Sequence, residues 1–264
     1  MDFALFYLAA GSIAGFLAGL LGVGGGIVIV PILLFVFAAQ HFPADQLMHI
    51  AVGTSLASVL FTSLVSLRTH HNRGAVKWDI VKRITPGILL GAFAATFLAA
   101  KLSTVLLRDF FIVFIFYVAT RQLFNIQSKV SRSIPGGAGM FAAGGVIGAF
   151  SSLVGIGGGT LSVPFMTRCH IKLHDAIGTS AALGFPLALA GTLGYVLNGL
   201  AVRDVPCGSL GFVYLPALAG LVVASMLVAP YGVRAAHALP VSTLKKVFAL
   251  FLYAIGIKLL FSAV

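Results

Sequence analysis

The chain has 264 residues, of which 59% are hydrophobic and 9% carry a fixed charge, and its mean hydropathy is +1.09. A soluble domain carries roughly 25% charged residues, so composition excludes one; at roughly 20 residues per spanning helix, the length holds about eight to ten apolar segments and no sizeable soluble domain. The 17 Lys and Arg face 6 acidic residues, all of them Asp; with no Glu, a carboxylate-lined proton or metal pathway is not expected, and the net +11 is read as basic cytoplasmic loops rather than a nucleic-acid surface.

Apolar runs in the first half cover about 3–21, 27–40, 47–67, 84–100 and 104–126. The first lacks a basic start, since the first Lys or Arg is Arg68, so it reads as part of the mature membrane domain rather than a cleaved signal. The second half repeats the pattern at about 139–154, 160–168, 173–200, 210–230 and 240–262. Between them lies QSKVSRSIPGGAG, residues 127–139, the longest polar and Gly/Pro-bearing stretch, which reads as a short cytoplasmic linker. Cys169 and Cys207 have no CxxC partner and form neither a zinc signature nor a disulfide framework.

Self-similarity organises the whole chain. GFLAGLLGVGGGIVIVP at 15–31 recurs as GAFSSLVGIGGGTLSVP at 148–164, and H-x-A-x-G-T-S recurs at His49–Ser55 and His174–Ser180. Two motifs in the same order define one transmembrane domain made of repeats 1–128 and 138–264. In each repeat the run around the glycines is too long for one straight span and its second piece is short for a crossing. A re-entrant hairpin or a sharply broken helix follows.

Charge distribution separates these alternatives. If the glycine segment is one broken span, the basic residues divide 10 to 7 between the two faces. If it enters and leaves on one face, Arg168, Lys172, Arg234, Lys245 and Lys246 join Arg121, the linker and the Arg68–Arg83 loop, and the division becomes 13 to 4. The positive-inside rule favours the second arrangement. The fold expected is an all-α polytopic membrane protein whose halves form an inverted repeat, each with a Gly-rich broken or re-entrant helical hairpin followed by three transmembrane helices, and with both termini periplasmic.

Glycine is poor in helix interiors, so Gly24, Gly25 and Gly26 and their copies Gly157, Gly158 and Gly159 read as tight bare turns. Irregular backbone at membrane depth survives where protein or a watery cavity surrounds it. The start of the following half-helix then favours negative charge, which points to an anion site; the alternative is that the glycines only allow close helix contact. Thr54 and Ser55, with Thr179 and Ser180, bring hydroxyl donors without fixed charge, or else bond back within their own helices. His49 and His174 titrate near physiological pH and are candidates for proton coupling, although helix starts also suit interfacial histidines. Arg121 and Lys258, at matching helix ends, snorkel or gather anions. No metal or cofactor is implied.

These motifs, Gly19-Leu-Leu-Gly-Val-Gly-Gly-Gly followed by Pro31, the second copy ending at Pro164 and the two A-x-G-T-S segments, resemble those of the TauE/SafE family of sulfite and sulfonate exporters. The resemblance covers essentially the whole chain. It implies a permease of the bacterial inner membrane that exports sulfite, sulfoacetate or a related sulfur-containing anion, with Gly24, Gly25, Gly26, Thr54, Ser55 and their second-half partners at the substrate. Ser151-Ser152 replaces Ala18-Gly19 in the second copy, so the hairpins need not contribute equally. A proton- or cation-coupled importer of a small organic anion is the alternative on the same fold. An intramembrane enzyme lacks its signatures, with neither a paired GxSG nor HExxH present. The expected partners are a small anion and the lipid bilayer; the oligomeric state stays open.

Overall fold

The computed structural model describes residues 3–21, 25–124, 134–202, 205–238 and 241–261. The first half forms α1 (Ala4–Leu21), α2 (Gly26–Ala39), a 3-10 turn (Ala44–Gln46), α3 (Leu47–Asn72), α4 (Trp78–Lys101) and α5 (Thr104–Leu123). The second half forms α6 (Gly137–Val154), α7 (Gly159–Arg168), α8 (Leu173–Leu200), a ribbon of β1 (Ser209–Leu210) and β2 (Val213–Tyr214), α9 (Leu215–Ala238) and α10 (Val241–Phe261). The order α1–α5 therefore recurs as α6–α10. The midpoint of the expected linker, with Lys129 and Arg132, lies outside the described residues, as do Gly24 and Arg203.

Five helices among the described residues are long and apolar enough to cross a membrane: the helix containing Ala44–Asn72, then Trp78–Lys101, Gly137–Val154, Leu173–Leu200 and Leu215–Gly232. Helix α1 through Leu17 and helix α2 are apolar but shorter. A multi-pass membrane protein follows. Helix α3 runs on past the apolar segment through Arg68 to Asn72, and α4 starts at Trp78, well before the apolar run. Composition under-reads both ends because basic side chains still make good helix.

Helix α1 and helix α2 form a hairpin whose open ends share one side. Tyr7, near the start of α1, accepts a hydrogen bond from the Gln40 amide just after α2, and its ring packs edge-on against Phe37. Small residues set the tightest inter-repeat contacts. A Cβ on Gly11 would stand 2.7 Å from the Leu221 carbonyl oxygen, and one on Gly15 2.5 Å from that of Ser225, so α1 lies directly on α9. The repeat equivalents Gly144 and Gly148 do the same for α6 on α4, at 2.3 Å from the Ile84 oxygen and 2.5 Å from that of Ile88. Close approach of this kind is how helices associate where no water drives them together.

Helices α3 and α8 cross in the middle. Gly191 faces Leu56 and Gly184 faces Ser63, so residue numbers rise along one helix as they fall along the other. Equivalent helices thus run antiparallel. Helices α5 and α10 do likewise, with Thr120 bonded to Tyr253 and Gly256 set against Phe116. Connections gather at two opposite ends of α3. At its start, Thr104 donates to the Asp45 carbonyl and His49 Nε2 bonds the Ala99 carbonyl at 2.9 Å. At its far end, Lys77 Nζ lies 3.3 Å from a carboxylate oxygen of Asp175, bringing the α3–α4 loop beside the start of α8.

Candidate functional site

The glycine turns end as bare tips in the middle of the molecule. Gly25 and Gly155 hold φ of 72° and 73°, left-handed backbone that glycine adopts without a steric cost. The tips of the two repeats touch: a Cβ on Gly26 would stand 2.3 Å from the Gly155 carbonyl oxygen. Gly155 to Gly159 are all buried. The close-contact reading therefore holds for Gly26. At Gly158 the surroundings are looser, since a Cβ there would meet only Leu187 at 3.4 Å and the Ser162 hydroxyl at 4.0 Å.

Ser55 reaches this junction. Its hydroxyl donates to the Gly155 carbonyl at 2.8 Å and lies 3.5 Å from the Gly26 carbonyl. Ser180, its repeat equivalent, accepts from the Ser162 hydroxyl at 2.8 Å instead. The difference comes from α2 and α7, because Ile29 stands where α7 has Ser162. Ser162, and Ser152 with its bond to the Ala92 carbonyl at 3.0 Å, were signalled in the sequence only by the polar departure of the second copy from the first.

The two G-T pairs do a matched job. Thr54 Oγ1 accepts the Tyr214 backbone N–H at 3.0 Å, and Thr179 Oγ1 accepts the Lys77 backbone N–H at 3.0 Å. In both cases the preceding glycine lets the other repeat approach. A Cβ on Gly53 would be 2.4 Å from the Phe212 carbonyl oxygen and one on Gly178 2.6 Å from that of Ala75. Each motif thus grips the segment that leads into α9 or α4 of the opposite repeat, satisfying a backbone donor that would otherwise be orphaned at a helix start.

The duplicated histidines separate. His49 is buried within the protein, bonded to Ala99 and with its ring tilted against that of Phe212 at 5.2 Å between ring centres. The α4–α5 connection covers it, which no local pattern around His49 encodes. His174 is exposed. Six residues separate His49 from Ser55, about 9 Å along a helix, so neither histidine stands at the glycine tips. Lys258 Nζ sits 4.2 Å from the ring centre of Phe35, on the side of the hairpin's open end. None of the described Lys, Arg or Asp side chains is buried, so the polar groups of the interior are hydroxyls, backbone and His49. A groove of about 450 Å³ beside Phe16, Val228, Phe248 and Phe251 is apolar and carries no donor set for an anion.

Comparison with known proteins agrees with the motifs. The profile of the family described as sulfite exporter TauE/SafE matches residues 7–259. A probable membrane transporter protein of Haemophilus influenzae is 37% identical over 258 residues, covering 97% of this chain and 98% of that protein. The probable membrane transporter protein YdhB of Bacillus subtilis is 26% identical over 260 residues, covering 94% and 96%. A probable membrane transporter protein of Methanocaldococcus jannaschii is 26% identical and covers 79% and 77%. No solved structure matches. With nearly its whole length matched by the profile and by a relative of equal extent, the chain belongs to the sulfite exporter TauE/SafE family and is a membrane transporter.

Proposed function

We propose that this transporter exports a small sulfur-containing anion, sulfite, sulfoacetate or a related organosulfonate, across the bacterial inner membrane by alternating access. The observation that carries this reading is the meeting of the two glycine tips at Gly26 and Gly155, with Ser55 beside them, in an interior that buries no described fixed charge. Helix starts and neutral hydroxyls attract an anion and also let it leave. An inside-negative potential, worth about 2.3 kcal/mol per charge per 100 mV, drives efflux without a coupled ion. The repeats 1–128 and 138–264 are inverted in the membrane under this reading. The antiparallel run of α3 against α8 supports it, as does the pairing of Lys77 with Asp175, two segments that the 13-to-4 division of charge assigns to the cytoplasm.

In this mechanism Gly24 and Gly25 and Gly157, Gly158 and Gly159 admit the anion to bare backbone, while Gly26 brings the two tips together. Ser55 and Ser180 line the junction, and Thr54 and Thr179 hold the repeats in register. Rocking of one repeat on the other exposes the junction to either face. Gly158→Ala tests the tip, because its methyl group meets only a leucine side chain at van der Waals distance and leaves the fold intact. In proteoliposomes loaded with labelled sulfite or an organosulfonate, Gly158→Ala is expected to reach the membrane at normal levels and lose about tenfold in efflux, the equivalent of about 1.4 kcal/mol. Undiminished efflux removes the tip from the mechanism, and flux that runs only inward with a cation or proton gradient replaces export by coupled import.

A further inference from the structure

Most of the buried hydroxyls around the glycine tips are already engaged. Ser55 donates to Gly155, Ser162 to Ser180, and Thr54 and Thr179 each receive a backbone N–H. Ser58 is different: it is 0% exposed and its hydroxyl has no hydrogen-bond partner. It lies three residues beyond Ser55 in α3, hence about 60° round and about 4.5 Å further along the same side of the helix. Ser55 stands next to Gly26 at the first residue of α2, while Val52 and Val30 both border Gly155, so α2 runs back along α3 in the opposite direction. One turn past Ser55 is therefore past the start of α2. On that geometry Ser58 lies towards the end to which the first N–H groups of that 14-residue helix point, and the N-cap of the helix is Gly25, which has no side chain to cap them.

Resting on the anion-transport reading above and narrowing it to the singly charged members of that class, hydrogen sulfite or a monosulfonate rather than doubly charged sulfoacetate, we infer that Ser58 is a substrate-contacting residue, whose hydroxyl donates to an oxygen of a singly charged sulfur oxyanion held at the start of α2. Single charge follows from the surroundings. No described Lys, Arg or Asp is buried to offset a second charge, and an uncompensated second charge taken out of water is opposed far more strongly than the first. The repeat equivalent of Ser58 is Leu183, so this contact belongs to one repeat only; at the start of α7 the buried hydroxyl without a partner is that of Thr160.

The test uses the full chain in proteoliposomes, with methanesulfonate as the singly charged probe and sulfate as the doubly charged competitor. Ser58→Ala is expected to raise the KM for methanesulfonate about tenfold, with its thermal midpoint in detergent unchanged or higher, because the hydroxyl it deletes bonds nothing in the protein. Ser58→Thr, which restores the hydroxyl, recovers at least part of the KM. Sulfate at equal concentration competes poorly with the wild type. An unchanged KM in Ser58→Ala overturns the assignment while wild-type flux leaves the transport reading standing. A Ser58→Ala protein that melts earlier or fails to accumulate overturns it too, since that marks a structural serine. Wild-type vesicles that move neither methanesulfonate, sulfite nor sulfoacetate overturn both readings together.

Discussion

Thr54 and Thr179 carry a weight at the residue scale that their place in a short motif conceals. Each occupies a helix interior where a hydroxyl commonly bonds its own backbone, yet each accepts an N–H from more than 100 positions away, with separations of 160 and 102 residues. Replacing either by Val keeps the shape and strands a part-buried backbone donor, which costs at most about 1–3 kcal/mol. Thr54→Val and Thr179→Val are expected to lower the thermal midpoint of the detergent-solubilised protein, whereas Thr54→Ser and Thr179→Ser retain most of it; equal melting of the Val and Ser variants argues against the grip. The G-T-S motif was legible as a site of importance. Its partners were not, because a hydroxyl's sequence neighbours carry no information about which distant amide will meet it. His49 teaches the same lesson: nothing near it in sequence tells that the α4–α5 connection closes over it.

Helices were the most legible feature at the element scale, since apolar runs bounded by polar or glycine-rich breaks leave little choice. The run at 27–40 becomes Gly26–Ala39 and the run at 173–200 becomes Leu173–Leu200. The ribbon Ser209–Tyr214 was not legible, because the apolar run at 210–230 takes in all of it but Ser209. What makes the ribbon is contact, with Gly211 at φ 56° turning against the Val196 carbonyl, from which its Cβ would stand only 2.2 Å. The Lys77–Asp175 ion pair joins two elements, the start of α4 and the start of α8, but with side-chain exposures of 51% and 21% it is a near-surface pair worth about 0–1 kcal/mol. Asp175→Asn is expected to leave both efflux and the thermal midpoint close to wild type. A large loss of efflux at an unchanged thermal midpoint shows that the pair closes one end of the transport path.

Handedness in the membrane belongs to the whole molecule. The proposed orientation sends the ribbon and the start of α3 to the periplasm and the Arg73–Trp78 segment to the cytoplasm. Cys207 is an exposed native thiol just before the ribbon, and Cys169 is buried, so the chain carries its own reporter. In intact cells, a membrane-impermeant maleimide is expected to label Cys207 directly and to label Arg73→Cys, in a Cys207→Ser background, only after permeabilisation. The reverse pattern inverts the topology. Length, charge and duplication were enough to expect this arrangement because parity and positive charge are properties of the entire chain. The packing of the two repeats on each other, α1 on α9 and α6 on α4, needed the structure, since glycines at 11, 15, 144 and 148 say that something comes close without saying what.

The reciprocal grip of the two G-T pairs also has a history in time. The Lys77 amide is made long before the hydroxyl of Thr179 that receives it, 102 residues later. At roughly 5–20 residues per second, translation opens an interval on the order of ten seconds. Throughout that interval the first repeat holds a Thr54 with no amide to accept and a Lys77 amide with no hydroxyl to meet. The first repeat is finished by the second, so the native arrangement is assembled by two nascent units closing on each other rather than by one unit completed and then copied.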